Sequence, residues 1–362
     1  MKTGRTVSSA QFFCLLFVCK IIALFTFVIS DPAQFPAGDR TVVFLPFLLE
    51  GALTAVPVML TMGPEEDRTL FTLTDGLHPA LSGICALLYA GGAVWSAAVS
   101  AARFELFMST VMFSGADPVL LTALLLAAAV YAARMGHEAV GRMSVPVLAL
   151  IAASLIYVGV TTAGEFEAAN LEAPLQNGVL PLLTNSFLAL TRTGETAALL
   201  VFAPRIRGGI KKGLTLWFAA YGLTASIVFT LILGTTGAYG ERQMFRLYTL
   251  TVLSRIGVFE RMDALITAIW VLCALIRLAF FLQAGAVFLA RGNTDGIKTG
   301  RLIMLAVPVF AVYLILSRRV ALFSAVIRSG ANAVIYCLML IVLPSAVLIA
   351  DKIKHAKRRA IA

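Results

Sequence analysis

The sequence predicts an all-α integral membrane protein with ten transmembrane helices. Three observations carry that expectation. Hydrophobic residues make up 60% of the 362 positions and charged residues only 13%, with a mean hydropathy of +0.92. A soluble core of this length could not hide so much apolar surface. Apolar runs of roughly 18 residues or more recur along the chain, long enough to cross a bilayer. Lys and Arg gather in alternate links between those runs, as the positive-inside rule expects. Inside lipid the backbone must satisfy its own hydrogen bonds, so the runs must be helices rather than open strands.

Taken in order, the first span is about 11–30. It follows MKTGR and looks like a signal peptide, but it is long for one and further spans follow, so it reads as a retained first helix. The second, about 41–62, contains Pro46 and Pro57. The third starts near Pro79 and runs to about Phe113. The fourth and fifth are about 118–135 and 144–163. The sixth is about Pro181 to Ala203, the seventh 213–235, the eighth 262–290, the ninth 300–316 and the tenth 329–350. The whole chain is one transmembrane domain, with helices 1–5 over about 11–163, helices 6–10 over about 181–350, and a basic tail at 351–362.

An even number of spans puts both termini on one side. The tails and even-numbered links carry 17 of the 29 Lys and Arg residues, against eight in the odd-numbered links. That assigns the tails to the cytoplasm. "RIRGGIKKG" (205–213) and "KIKHAKRR" (352–359) carry most of the bias. The net charge of +10 is therefore a membrane-topology signal. No polar domain interleaves basic and aromatic residues, which argues against nucleic-acid binding. In the seventh link, Arg242, Arg246 and Arg255 alternate with Phe245, Leu247, Tyr248, Leu250 and Leu253. This segment reads either as an amphipathic element on the membrane surface or capping the bundle, or as a gate over an entry path.

Other chemistries find little support. Cys14, Cys19, Cys85, Cys273 and Cys337 all lie in apolar runs without a CxxC pair, as packing residues do. His78, His137 and His355 share no ligand spacing, so neither a metal nor a cofactor is expected. No Walker loop, GxGxxG, HExxH or catalytic triad pattern faces water, and no enzyme is expected.

The informative residues are the charges inside spans. An ionisable group there faces a cavity or a partner and is a functional candidate by default. Lys20 is near the middle of the first span and Glu50 near the middle of the second. Arg103 and Glu105 lie in the third, toward its outer end. Arg192 and Glu195 are central in the sixth. Arg277, about 14 residues into the eighth, is roughly 21 Å along it. One reading is internal ion pairing, Arg192 with Glu195 at i,i+3 and Lys20 with Glu50. The other gives these residues a ligand or proton role, because they come from several helices and share one depth. Gly194 sits among Thr191, Thr193 and Thr196, all poor helix formers. A break there would expose backbone groups at mid-membrane, as in discontinuous transporter helices. Gly91–Gly92 in the third span suits close helix packing or close ligand approach.

The order of several segments resembles spore germination permeases, the B subunits of GerA-type nutrient germinant receptors. "YAARMGHEAVGRM" (131–143) is similar to their fourth-to-fifth helix link. "GERQMFRLYTLTVLSRIGVFERMDALITAIWVLCALIRLAFFLQAG" (240–285) is similar to their seventh-to-eighth region, with "ERMDA", then "IW", then a basic residue as its most telling features. "QFF" (11–13) fits the family's start and "TGETAALLVFAP" its sixth helix. The resemblance implies the amino acid–polyamine–organocation fold, a LeuT-like bundle of two five-helix inverted repeats with helices one and six at its centre. It implies a sensor of small nutrients such as amino acids in the spore inner membrane, working with an A subunit and a lipoprotein C subunit. By position it assigns Thr191, Arg192, Thr193, Gly194 and Glu195 to the sixth-helix break, Lys20 to the first helix and Arg277 to the eighth, as the ligand-binding set. Family members usually have small residues or glycine at a break in helix one. Here "LLFVCKIIALF" puts Lys20 there instead, which argues against an unwound first helix. A proton-coupled amino acid transporter and a ligand-free scaffold subunit are the alternative functions.

Overall fold

The computed structural model describes residues 7–25, 37–61, 69–112, 115, 117–190, 193–254, 263–293 and 297–361. It is helical almost throughout. Among the described residues, helical segments fall within each of the expected spans. They are α1 (Ser9–Phe25), α2 (Phe44–Thr61), α3 (Pro79–Phe107), α4 (Pro118–Arg134), α5 (His137–Thr161), α6 (Leu180–Ala189), α7 (Ile210–Arg242), α8 (Asp263–Leu289), α9 (Thr299–Ser317) and α10 (Gly330–Cys337, continuing below). Six helical stretches among the described residues are long and apolar enough to cross a membrane, those of α3, α5, α7, α8, α9 and α10; α1 and α4 are shorter apolar helices. Crossing by the remaining segments rests on the sequence pattern.

Local chemistry sets the helix starts. His78 Nδ1 accepts the Ala80 N–H at 3.1 Å ahead of Pro79 at the head of α3. Asp117 accepts from Val119 N–H at 2.9 Å ahead of Pro118 in α4. A side-chain acceptor before a first-turn proline is a favourable helix start. Between α4 and α5 the chain turns in two residues, with Gly136 at φ 94°, ψ 163°, a region open essentially only to glycine.

α8 is the central helix, packed against α1, α3, α4, α5 and α9. The buried face of α3 is a stripe of small residues, among them Ser82, Ala86, Ala90, Ala93, Ala97 and Ala101. Such stripes let helix backbones approach closely where lipid gives no hydrophobic drive for association.

Several boundaries differ from the sequence expectation. α3 ends in a π-helical turn, Met108–Met112. α5 begins at His137 rather than 144. α7 continues to Arg242 through a kink at Gly237 (φ 50°). The seventh link then forms a helix, Arg246–Leu253, with Arg246, Leu247, Leu250 and Thr251 buried. It packs against α1, α7 and α8 and so caps the bundle; Arg255 lies outside the described residues. α10 passes through a π-helical turn, Leu338–Val342, and runs on as Leu343–Ile361. The tail at 351–361 is therefore part of a helix, and Lys354 donates to the Gly76 carbonyl of the short helix Leu70–Leu77. A two-residue parallel pairing of Val7–Ser8 with Ile206–Arg207 ties the start of α1 to the end of the sixth segment.

Candidate functional site

The sixth segment is interrupted where the threonines and Gly194 suggest. α6 stops at Ala189. Thr193 has φ −110°, ψ 17°, and the chain resumes as a 3-10 turn, Gly194–Ala198, before one α-helical turn, Leu199–Phe202. Thr193 Oγ1 and Thr196 Oγ1 turn to nearby acceptors. Thr196 donates to the Thr193 carbonyl at 2.8 Å, and Thr193 donates to Glu50 Oε1. Gly194 is closely packed by its neighbours. A Cβ there would lie 3.0 Å from a Tyr336 ring carbon and 3.1 Å from Ser96 Oγ. Thr191 and Arg192 lie outside the described residues, so the expected i,i+3 pair of Arg192 with Glu195 does too.

Around this interruption the structure gathers Lys20, Glu50, Glu195 and Arg277, all singled out in the sequence, into two buried ion pairs. Lys20 Nζ of α1 is 3.0 Å from Glu50 Oε1 of α2, the same oxygen that accepts from Thr193. The ammonium also lies over the Phe47 ring, 4.6 Å from its centroid, and 5.6 Å from that of Tyr221. Arg277 of α8 pairs with Glu195 Oε1 and donates through the same nitrogen to the Cys19 carbonyl of α1. Its Nε donates to Ser100 Oγ of α3 at 2.8 Å, and the guanidinium stacks 5.0 Å from the Phe281 centroid. One guanidinium thus joins α1, α3, α8 and the interrupted segment, as its planar fork of donors allows. Glu195 is fully buried, and its Oε2 has no hydrogen-bond partner among the described residues.

Burying such charges is tolerable because each carboxylate has a cation in contact. The Lys20–Glu50 contact follows the ion-pairing reading of the sequence. Glu195 takes Arg277, a partner from another helix. α1 is a continuous helix through Lys20 up to Phe25. No group of acidic, histidine and cysteine residues fit to hold a metal occurs among the described residues.

Two small cavities flank the site and share Ser96 and Tyr336, whose hydroxyls are hydrogen-bonded at 2.8 Å. The first is aromatic and apolar, lined by Tyr89, Gly194, Phe280, Phe281 and Phe288 among others. Gly92 also borders it, and a Cβ there would strike Met339 of α10; Gly91 meets nothing. The second is more polar, lined by Trp95, Val99, Arg103, Arg277, Ile327 and Asn332 besides the shared pair. The sequence reading missed Ser96, Ser100 and Tyr336. A signal for the first two was present. Ser96, Ser100 and Arg103 fall at i, i+4 and i+7, one polar stripe on an otherwise apolar helix. Tyr336 carried no comparable signal.

Comparison with known proteins accords with this architecture. No curated protein sequence matches the chain. Among solved structures, the chain is similar to MhsT, crystallised in complex with L-phenylalanine. The TM-score is 0.58 at 14% identity, over 96% of this chain and 99% of that one. At that identity the likeness bears on the fold, which is of the LeuT type. A spore germination protein family model matches residues 6–325, nearly the whole helical bundle, and the chain belongs to that family of permease-like membrane proteins.

Proposed function

We propose that the chain is the nutrient-sensing, permease-like subunit of a spore germination receptor, and that it binds a small molecule such as an amino acid at mid-membrane. The observation that carries this reading is the shared guanidinium of Arg277. It is bonded at once to Glu195, to the Cys19 carbonyl and to Ser100, beside a helix interruption and in the wall of the polar cavity. A ligand carboxylate that takes donors from Arg277 releases Glu195, and the ligand's ammonium group then has that carboxylate to meet. Exchanging an internal ion pair for a ligand shifts the population between two arrangements of the interrupted segment. Thr191, Arg192, Thr193 and Gly194 supply the backbone and side chains of that segment, and Lys20 holds Glu50 against it.

In this reading the chain works with an A subunit and a lipoprotein C subunit in the spore inner membrane, with both termini cytoplasmic and lipid around the bundle. The test is the germination dose–response of spores carrying Glu195→Ala or Arg277→Ala at normal protein levels. A marked loss of nutrient response is expected, and an unchanged curve in both overturns the site. The buried ionisable groups at the centre of the bundle favour a second reading, proton-coupled amino acid uptake through Glu195 or Lys20. Purified protein in liposomes under a pH gradient separates the two, because a pure sensor accumulates no amino acid.

A further inference from the structure

The polar cavity is small and its walls are short of hydrogen bonds. It offers about 20 Å³ of space to a water-sized sphere, and one water molecule needs roughly 10–15 Å³ by that measure. Three helices meet around it. Ser96 comes from α3, Arg277 from α8, and Asn332 and Tyr336, at i and i+4, from α10. Trp95 and Val99 supply part of the apolar wall. Each of the four polar side chains is at most 9% exposed, so hydrogen-bonding capacity left over is costly unless a bound molecule meets it. Capacity is left over at three points. Arg277 directs Nε to Ser100 and one terminal nitrogen to Glu195 and the Cys19 carbonyl. Its other terminal nitrogen has no hydrogen-bond partner among the described residues. Ser96 and Tyr336 share a single hydrogen bond. Whichever hydroxyl donates it, the hydrogen of the other has no acceptor among the described residues. The backbone N–H of Asn332 donates to Ser329 Oγ at 3.2 Å, but its carboxamide has no hydrogen-bond partner among the described residues.

We propose that this cavity is the binding site of one ordered water molecule, which ties α10 to Arg277. The water accepts from the second terminal nitrogen of Arg277 and from the unmatched hydroxyl of the Ser96–Tyr336 pair, and it donates to Oδ1 of Asn332. Three hydrogen bonds are the usual complement of a buried water, and bridges of this kind are nearly as favourable in enthalpy as direct bonds. Asn332 is then a positioning residue. It acts on Arg277 through the water and steadies the guanidinium without competing for Glu195. Ser96 and Tyr336 also pack against Gly194 of the interrupted segment. One exchangeable molecule therefore connects α3, α8 and α10 beside that segment. The inference holds whether or not the bundle binds a nutrient.

X-ray radiolytic labelling tests this directly, because radiolysis of a water held beside a side chain oxidises that side chain. The full-length protein in lipid nanodiscs is irradiated with a radical scavenger in the bulk solution, and the oxidised residues are located by mass spectrometry. Tyr89 is the internal reference. It too is buried, but it lines the aromatic cavity and its hydroxyl is already bonded to the Met339 carbonyl at 2.6 Å. Tyr336 is expected to be oxidised severalfold faster than Tyr89. Asn332→Leu, close in volume but without hydrogen-bonding atoms in its side chain, should bring the Tyr336 rate down to that of Tyr89. Asn332→Asp keeps an acceptor and should preserve the difference. Equal rates at the two tyrosines in the wild type overturn the proposal without recourse to any variant. A Tyr336 rate unchanged in Asn332→Leu, or lost equally in Asn332→Asp, overturns it as well.

Discussion

At the scale of single residues, Arg277 is the position on which most depends. Removing it leaves Glu195 fully buried without the cation that it contacts. Truncating one member of a buried pair typically costs about 3–5 kcal/mol. Arg277→Ala is therefore expected to lower the thermal unfolding midpoint of the detergent-solubilised protein sharply. Arg277→Lys is expected to rescue little, since one ammonium cannot reproduce the fork that reaches three elements. The double variant Glu195→Gln, Arg277→Met removes both charges and should recover part of the stability without the nutrient response. Full recovery of the response would show that the pair is only structural. Gly194 is the second such position. The methyl of Gly194→Ala would press on Tyr336 and Ser96 at 3.0 and 3.1 Å, tighter than ordinary contact. Overpacking of this kind costs about 1–3 kcal/mol, and the expected readout is a lowered unfolding midpoint together with altered ligand affinity. A midpoint and affinity equal to wild type would mean that the hydroxyl pair yields freely. Of the site, the charged residues could be read from the sequence because charge inside lipid is rare and conspicuous. So could the pairing of Lys20 with Glu50, but the contact of Glu195 with Arg277 could not. Among the described residues the partner of Glu195 comes from α8, brought to it by packing over 82 residues of separation.

At the scale of elements, hydropathy locates each helix but not its ends. Hydropathy starts the fifth span at 144, because His137, Glu138 and Arg142 have the character of a loop. They instead form the first turns of α5, where Arg142 meets Glu138 at i,i+4, 2.5 Å apart, on an exposed face. Polar residues mark water, and a helix that leaves the membrane can stay helical in water. The same reason extends α10 beyond 350, where the basic tail continues the helix against Leu70–Leu77. The link at Gly136 makes a prediction of its own. Its φ and ψ are strained for any residue with a Cβ, at about 1–3 kcal/mol. Gly136→Ala should lower the unfolding midpoint with ligand affinity unchanged. Gly91→Ala, where an added Cβ meets nothing within 4 Å, is its control and should behave as wild type. Equal stability in both variants would mean that the α4–α5 turn can relax.

At the scale of the whole molecule, the two ion pairs put a tethered cation against each of the two central carboxylates among the described residues. Lys20 answers Glu50 and Arg277 answers Glu195, with tethered cations on α1 and α8 in contact with carboxylates on α2 and the interrupted segment. A mobile inorganic cation would have to displace an ammonium or a guanidinium that is covalently held and already desolvated. Conformational change driven by a ligand requires that the ligand bind the two states differently. An ion that finds both of these carboxylates already answered cannot supply that difference. Ligand affinity and nutrient response are therefore expected to be the same in sodium, potassium and choline chloride at equal ionic strength. The sharper version uses Lys20→Met, which keeps the side-chain bulk and removes the charge. Glu50 then loses its cation while still accepting from Thr193, and a small cation gains a reason to enter. Sodium should stabilise Lys20→Met against thermal unfolding more than choline does, while wild type shows no difference. Sodium dependence in the wild type would overturn the idea that the tethered charges stand in for a coupling ion. Its absence in both proteins would mean that Glu50 is satisfied by Thr193 and its surroundings alone.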